Sequence, residues 1–336
     1  MNIIDSHAHV IVPEILREAA PEEGWRPSIS RENGVQILEF NGRAVRSAVG
    51  EFVDPEGILA EQDAAGVDRV LLCPWVPLLS YGADTPEGLR RCRIQNDALE
   101  VLVRAHGDRI SALGAVPLQD PELAAAELRA LMAGGVLSGV EIAASVRGAY
   151  LGDDRFEPFW AAAEETSALV FIHPSTRGFE VDALDEHYLW NTVGNPFETA
   201  LTAAHMVMSG VMERHRELRV LLAHGGGALP ALRGRLRHGH AAVPAARTRL
   251  QESPEASLRR FYYDTVTHDV DLLRALVSFV GVDHVLLGSD YPFDMADPHL
   301  VKTVRDCGFD AAAEEAILGG NAERLLQPLI PTTPRR

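Results

Sequence analysis

At 336 residues, with 46% hydrophobic and 24% charged residues, the chain has the composition of an ordinary soluble globular enzyme with room for a large core. Its 31 basic and 48 acidic residues leave a net charge of −17, which argues against nucleic acid or an anionic membrane as the main partner, since both reward basic surfaces. An anionic small molecule needs only a few local arginines and stays open as a substrate.

The first elements run Ile3-Ile4-Asp5-Ser6-His7-Ala8-His9-Val10, an apolar start leading into two histidines one residue apart. On a strand, the side-chain period of two points His7 and His9 to one face. Two neighbouring imidazoles make half of a metal site, because neutral imidazole is the commonest ligand for zinc-like ions. Residues 13–53 form a polar excursion in which Asn33-Gly34 and Asn41-Gly42 flank an apolar run at 35–40. Asn-Gly suits a type I′ turn, so a small β-meander is expected here. Its functional reading is a lid over the mouth of a site, carrying Arg43 or Arg46; its plainer reading is a covering flap.

A regular alternation begins at Asp54. A helix over 55–65 stops at Gly66, and 69–74 is the continuous apolar run of a strand buried on both faces. Helix 87–106 leads to strand 110–116, helix 121–132 to strand 139–142, and helix 156–166 to strand 169–173. Helix 196–214 leads to strand 219–224, a helical stretch over 230–250 to strand 261–264, and helix 270–280 to strand 284–290. Helices 298–307 and 311–318 follow, and 328–336 is a proline-bearing tail expected to fray.

Counting the strand that holds His7, eight strands are each followed by helix. Strict alternation implies a parallel sheet, and eight units are the number that closes a barrel. The expected architecture is a single (β/α)8 TIM barrel over 1–327, with the 13–53 insertion after strand one. A doubly wound open sheet is the alternative.

In such barrels the chemistry gathers at the C-terminal ends of strands. Strand one ends in His7 and His9, strand five in His173-Pro174, strand six in His224-Gly225-Gly226-Gly227, and strand eight in Asp290-Tyr291-Pro292. One such residue reads as a satisfied polar group. Four at equivalent positions converge on one pocket, and a metal explains them together.

The set Asp5-x-His7-x-His9, His173-Pro174, Ala223-His224-Gly-Gly-Gly, Leu287-Gly-Ser-Asp290-Tyr-Pro-Phe293 and Gly320-Asn321-Ala322 resembles the amidohydrolase superfamily. Within it the chain resembles the aminocarboxymuconate-semialdehyde decarboxylase branch, in order from Asn2 to about Leu326. The resemblance implies that His7, His9, His173 and Asp290 hold one divalent ion, usually zinc and in related aromatic-acid decarboxylases sometimes manganese. Three imidazoles and a carboxylate suit zinc and leave a position open for water or substrate. His224 matches the catalytic histidine, which would deprotonate a water already acidified by the ion. The glycines after it allow a substrate to sit against the backbone.

Arg46 matches a residue that holds a substrate carboxylate, and Arg235 a second one that the family supplies from the neighbouring subunit of a homodimer. The planar guanidinium fork fits a carboxylate bidentately. Trp190 and Phe293 match aromatics lining the pocket. The family's His-Pro-Trp-Asp-Met run is here His173-Pro174-Ser175-Thr176-Arg177-Gly178, which changes one pocket wall. Strand four carries Glu141 and no lysine, so the carbamylated-lysine bridge of two-metal relatives is absent and a single ion is expected, with Glu141 behind the ligands or purely structural. Asp269 is expected to cap the next helix.

The implied activity is non-oxidative decarboxylation of a small unsaturated or aromatic carboxylic acid, either by addition of a metal hydroxide made with help from His224 or with the substrate on the metal and His224 or Asp290 delivering the proton to carbon. A hydrolase or hydratase using the same activated water is the alternative. Cys73, Cys92 and Cys307 lie far apart and read as buried or incidental thiols of a reducing compartment. Neither an export leader nor an apolar run near the ~20 residues of a membrane span is seen, so a cytoplasmic protein is expected.

Overall fold

Short apolar runs build the inner wall. In chain order they are β1 (Ile4–Val10), β2 (Arg69–Pro74), β3 (Ile110–Ala112), β4 (Gly139–Ala143), β5 (Leu169–His173), β6 (Arg219–Leu222), β7 (Tyr262–Asp264) and β8 (Val285–Leu286). The computed structural model describes residues 2–18, 28–32, 35–40, 43–47, 52–175 and 181–326.

All pairings among these strands are parallel. β1, β2 and β3 form one run and β4 to β8 another, each in sequence order. Bridges between Gly114 and Val140, and between Ala8 and Tyr291, join the two runs at both edges and close the ring. The result is the (β/α)8 barrel.

Side-chain alternation divides the core. Ile4, Leu71, Cys73, Leu113, Leu169, Phe171, Leu221 and Leu286 pack in the barrel interior, while their chain neighbours Val70, Leu72, Val170, Ile172, Val220 and Leu222 face the helices. A strand buried on both faces needs this continuous apolar run.

The helices follow the strands: α1 (Pro55–Ala64), α2 (Thr85–Ala105), α3 (Pro121–Gly134), α4 (Glu157–Thr166), α5 (Asn195–Met208), α6 (Leu229–Ala242), α7 (Val270–Val280) and α8 (Leu300–Asp306). Asp54, Asp84 and Asp120 cap the first three with proline in the first turn, which satisfies end N–H groups and presets φ. Asp269 caps α7 as expected, taking the Leu272 N–H at 2.7 Å.

Several boundaries differ from the sequence reading. The helix expected over 196–214 breaks after Met208, because Gly210 takes a φ of +77°. The stretch over 230–250 stops at Ala242, two residues before Pro244, which has no N–H to continue it. Pro254–Leu258 adds a short capped helix that the sequence reading left out. Regular pairing in the third and eighth strands covers only Ile110–Ala112 and Val285–Leu286, shorter than expected.

The insertion is the expected meander. Ser28–Glu32, Val35–Phe40 and Arg43–Ser47 pair antiparallel, although both Asn-Gly turns lie outside the described residues. The tail at 328–336 lies outside them too.

Glu252 ties the chain ahead of β7 together, accepting from Ser257 Oγ and from both terminal nitrogens of Arg260. Those Arg260 bonds, against a smaller opposing effect of burial, hold its carboxyl below the ordinary range. A depressed carboxylate contributes stability that is present above its unfolded pKa and lost as pH falls through its folded one. Glu252→Gln is expected to cost about 1 kcal/mol at neutral pH. Denaturant titrations should show that difference shrinking toward zero as the pH is lowered through the acid range.

Candidate metal centre

The C-terminal rim of the barrel gathers the predicted ligands. His7 and His9 leave β1 on one face, His173 ends β5, and Asp290 follows β8. His7 Nε2 lies 3.1 Å from His9 Nε2 and 3.2 Å from Asp290 Oδ1. Asp290 Oδ1 is also 3.5 Å from His9 Nε2 and 3.9 Å from His173 Nε2. One ligand atom from each of the four buried residues lies within 4.8 Å of the others.

The outer nitrogens fix what the inner ones offer. His7 Nδ1 faces Asp264 Oδ2 at 2.6 Å, His173 Nδ1 faces the Pro174 carbonyl at 3.0 Å, and His9 Nδ1 faces the Pro74 carbonyl at 3.5 Å. An acceptor at each Nδ1 puts the proton there and leaves a lone pair on each Nε2. Once His7 has given up its second proton, three lone pairs and a carboxylate oxygen point at one spot, the arrangement that holds a cation. His173 Nε2 and Asp290 Oδ1 are buried with no hydrogen-bond partner among the described residues. Tetrahedral bonds of ~2.1 Å place ligand atoms roughly 3.4 Å apart, close to the 3.1–3.5 Å separations among His7, His9 and Asp290. The donor set fits one divalent ion.

A further layer holds these groups. Asp264, the last residue of β7, accepts from His7 and also from the backbone N–H groups of His224 (2.9 Å) and Gly225 (2.8 Å). Asp5 accepts the N–H of His7 and of Ser289 at 3.0 Å each, and the Gln62 amide at 3.1 Å, tying β1 to the chain before Asp290. Glu141 stands behind His9, its Oε1 3.7 Å from His9 Nδ1, and neither of its oxygens has a hydrogen-bond partner among the described residues.

Electrostatics follow from this packing. Burial disfavours a charged His7, but Asp290 and Asp264 outweigh it and lift its pKa to about 10, so a cation that binds there must displace a proton. Burial pushes His173 down to about 3, as a neutral ligand requires. Asp290 would rise on burial alone, yet the His7 charge and the neighbouring imidazoles, with His224 Nε2 at 3.3 Å, hold it well below the carboxylate range. Burial pushes the Glu141 carboxyl well up, against a smaller opposing effect of the His7 charge.

His224 opens the site to a ligand. Its Nε2 is 3.3 Å from Asp290 Oδ2, while its Nδ1 has no partner among the described residues. His224 and Asp290 both adopt left-handed backbone, at φ of 58° and 63°. Such conformations cost a non-glycine residue and persist where the surroundings hold them. Both residues line a cavity of about 230 Å³.

The glycines after His224 serve the protein's own packing. A Cβ on Gly226 would meet the Tyr263 ring at 2.7 Å, and one on Gly227 the Pro196 carbonyl oxygen at 2.1 Å. Gly227 also lines the cavity, where the sequence reading expects a substrate to sit against the backbone.

The remaining predicted residues sit as follows. Phe293 packs edge-on to His9 at 5.1 Å and to Phe52 at 5.4 Å, which brings the end of the insertion to the site. Trp190 lies edge-on to Tyr188 and begins the π-helical turn Trp190–Gly194, whose Asn191 and Thr192 line the cavity. Arg235 is exposed on α6. Arg46 lies on Arg43–Ser47, paired with Ile37; its side chain and that of Arg43 lie outside the described residues, as does Arg177.

Sequence reasoning missed Asp264, although it ends a strand just as the ligands do. It also missed Asn195, at the start of α5 and lining the cavity, and Glu198, which binds Ser145 and the Ser175 N–H.

Comparison with known proteins agrees with this geometry. The amidohydrolase family model matches residues 4–327. A 2-amino-3-carboxymuconate-6-semialdehyde decarboxylase of Dictyostelium discoideum is 30% identical over 329 residues, covering 96% of this chain and 91% of its own. The crystal structure of 5-carboxyvanillate decarboxylase from Sphingomonas paucimobilis superposes with a TM-score of 0.81 at 26% identity, covering 97% and 98% of the two chains. A dihydroxybenzoic acid decarboxylase from Polaromonas, solved with manganese and 2-nitroresorcinol, shares the fold with a TM-score of 0.77 at 22% identity, covering 97% of each chain. With its ligand cluster at the rim of a closed barrel and a family match over almost its full length, the chain belongs to the amidohydrolase family.

Proposed function

We propose that this protein is a metal-dependent, non-oxidative decarboxylase of a small unsaturated or aromatic carboxylic acid. The observation that carries the reading is His224, a half-buried imidazole whose Nδ1 has no partner among the described residues, set between the four-ligand cluster and a cavity. The relatives named above are decarboxylases of such acids, which supports it.

A divalent ion, zinc by its donor set or manganese as in the Polaromonas neighbour, supplies Lewis-acid polarisation and acidifies water when bound. His7, His9, His173 and Asp290 hold it. Decarboxylation replaces a C–CO2⁻ bond by C–H, so one proton must reach the carbon that loses carbon dioxide. His224 and Asp290, 3.3 Å apart, hold and pass that proton. Arg46 and Arg235 bind the substrate carboxylate, with Trp190 and Phe293 walling the ring.

Arg235 acts across a homodimer interface in this reading. Exposed Val193, Phe197 and Leu201 recur every four residues along one side of α5 and the turn before it, and α6 packs beside α5. An apolar stripe of this kind calls for a covering partner. The proposed location is the cytoplasm, in keeping with three free, buried cysteines. No helix among the described residues is long and apolar enough to cross a membrane.

The test is carbon dioxide release from muconate-type and ortho-hydroxybenzoate acids by ion-loaded protein. One carbon dioxide per product, abolished by chelation and restored by zinc or manganese, is the expected result. A product that retains the carboxyl carbon after hydrolysis or hydration contradicts it.

A further inference from the structure

Besides the metal-site residues His224 and Asp290, the cavity is lined by a buried amide whose oxygen the described residues leave unpaired. Asn195 is only 6% exposed and lines this cavity together with His224 and Asp290. Its Oδ1 has no hydrogen-bond partner among the described residues. A buried amide oxygen without a partner costs about 1–3 kcal/mol, so a ligand group that satisfies it gains directional binding.

The surroundings hold this amide in place. Asn195 is the first residue of α5, directly after the π-helical turn Trp190–Gly194, a wide turn that often occurs at functional sites. Its neighbour Pro196 accepts the Ala228 N–H at 3.1 Å, and Gly227 lies so close to the Pro196 carbonyl that no Cβ fits between. The start of α5 is therefore fastened to the turn that carries His224. Asn195 is kept in register with the proton-handling imidazole.

We propose that the Asn195 side-chain amide selects the substrate by hydrogen bonding to a ring hydroxyl or amino group. This inference rests on the decarboxylase reading and narrows its substrate class. Oδ1 accepts from an O–H or N–H, and Nδ2 can donate to a phenolic oxygen. An acid carrying such a substituent satisfies the amide; an unsubstituted ring leaves it buried and unpaired. Asn195 is a specificity-determining residue, distinct from the carboxylate-binding arginines.

The test compares 2,6-dihydroxybenzoate with benzoate by calorimetry on ion-loaded wild type and on the apolar variants Asn195→Leu and Asn195→Met. The expected loss is roughly 10-fold or more for the dihydroxy acid and no more than about 2-fold for benzoate, with ion content unchanged and a melting temperature equal to or above that of wild type, since the variants no longer bury an unpaired amide oxygen. Equal losses for both acids would assign Asn195 to pocket shape and overturn the proposal while leaving the decarboxylase reading intact. A crystal of wild type with 2,6-dihydroxybenzoate decides independently of the variants: a ring hydroxyl within hydrogen-bond distance of the amide supports the proposal, and an amide facing away refutes it. Wild type that binds neither acid and releases no carbon dioxide overturns the activity reading and this inference together.

Discussion

Replacing His224 with alanine is expected to lower kcat by roughly 10²–10⁴-fold, the span of a lost general acid–base group. The fold and the ion should survive, because His224 is not among the four ligand residues and its backbone N–H, which Asp264 accepts at 2.9 Å, remains in the variant. What the variant loses is a cavity-lining imidazole whose Nδ1 has no partner among the described residues and whose Nε2 faces Asp290. Steady-state kinetics beside ion analysis on the same sample checks this. A variant with a full complement of ion and unchanged turnover would remove His224 from the chemistry.

Asp264→Asn should act by the opposite route. Asp264 Oδ2 takes the His7 Nδ1 proton at 2.6 Å, and its oxygens also take the N–H groups of His224, Gly225 and Val266. An asparagine keeps the shape but has one acceptor oxygen for all these donors, and its amide N–H opposes one of them. His7 then loses the partner that fixes its Nε2 lone pair toward the cluster. Ion affinity is expected to fall about 10–100-fold, the usual cost of removing such an orienting carboxylate. Competition with a chelator at fixed pH reads that loss. Because cation binding displaces a proton from His7, wild-type affinity should also climb as pH rises toward about 10. The two variants separate the roles: His224→Ala retains the ion and loses turnover, whereas Asp264→Asn loses turnover by losing the ion, and excess ion rescues it.

Much of this was legible because barrels put chemistry at strand ends. His7, His9, His173 and Asp290 each close a short apolar run, and the period of two aims the first pair together. Asp264 closes its run in the same way and escaped notice, since its partner His7 is 257 residues away and its task is to orient rather than ligate. Asn195 and Glu198 start a helix, where polar residues are ordinary, and only the assembled cavity distinguishes them. The glycines after His224 also have the protein to make room for, since Gly226 and Gly227 sit tight against Tyr263 and Pro196, which no local pattern reveals. Helix ends at Met208 and Ala242 turned on single residues, Gly210 and Pro244, that interrupt an otherwise helical pattern.

The central claim is that four side chains from three distant stretches of chain grip a single cation beside His224. Anomalous diffraction from a crystal grown with zinc or manganese measures it directly. The account predicts one peak per chain, bonded at about 2.0–2.3 Å to His7 Nε2, His9 Nε2, His173 Nε2 and Asp290 Oδ1. A crystal with no peak at the barrel rim, or with the ion on other residues, would contradict it.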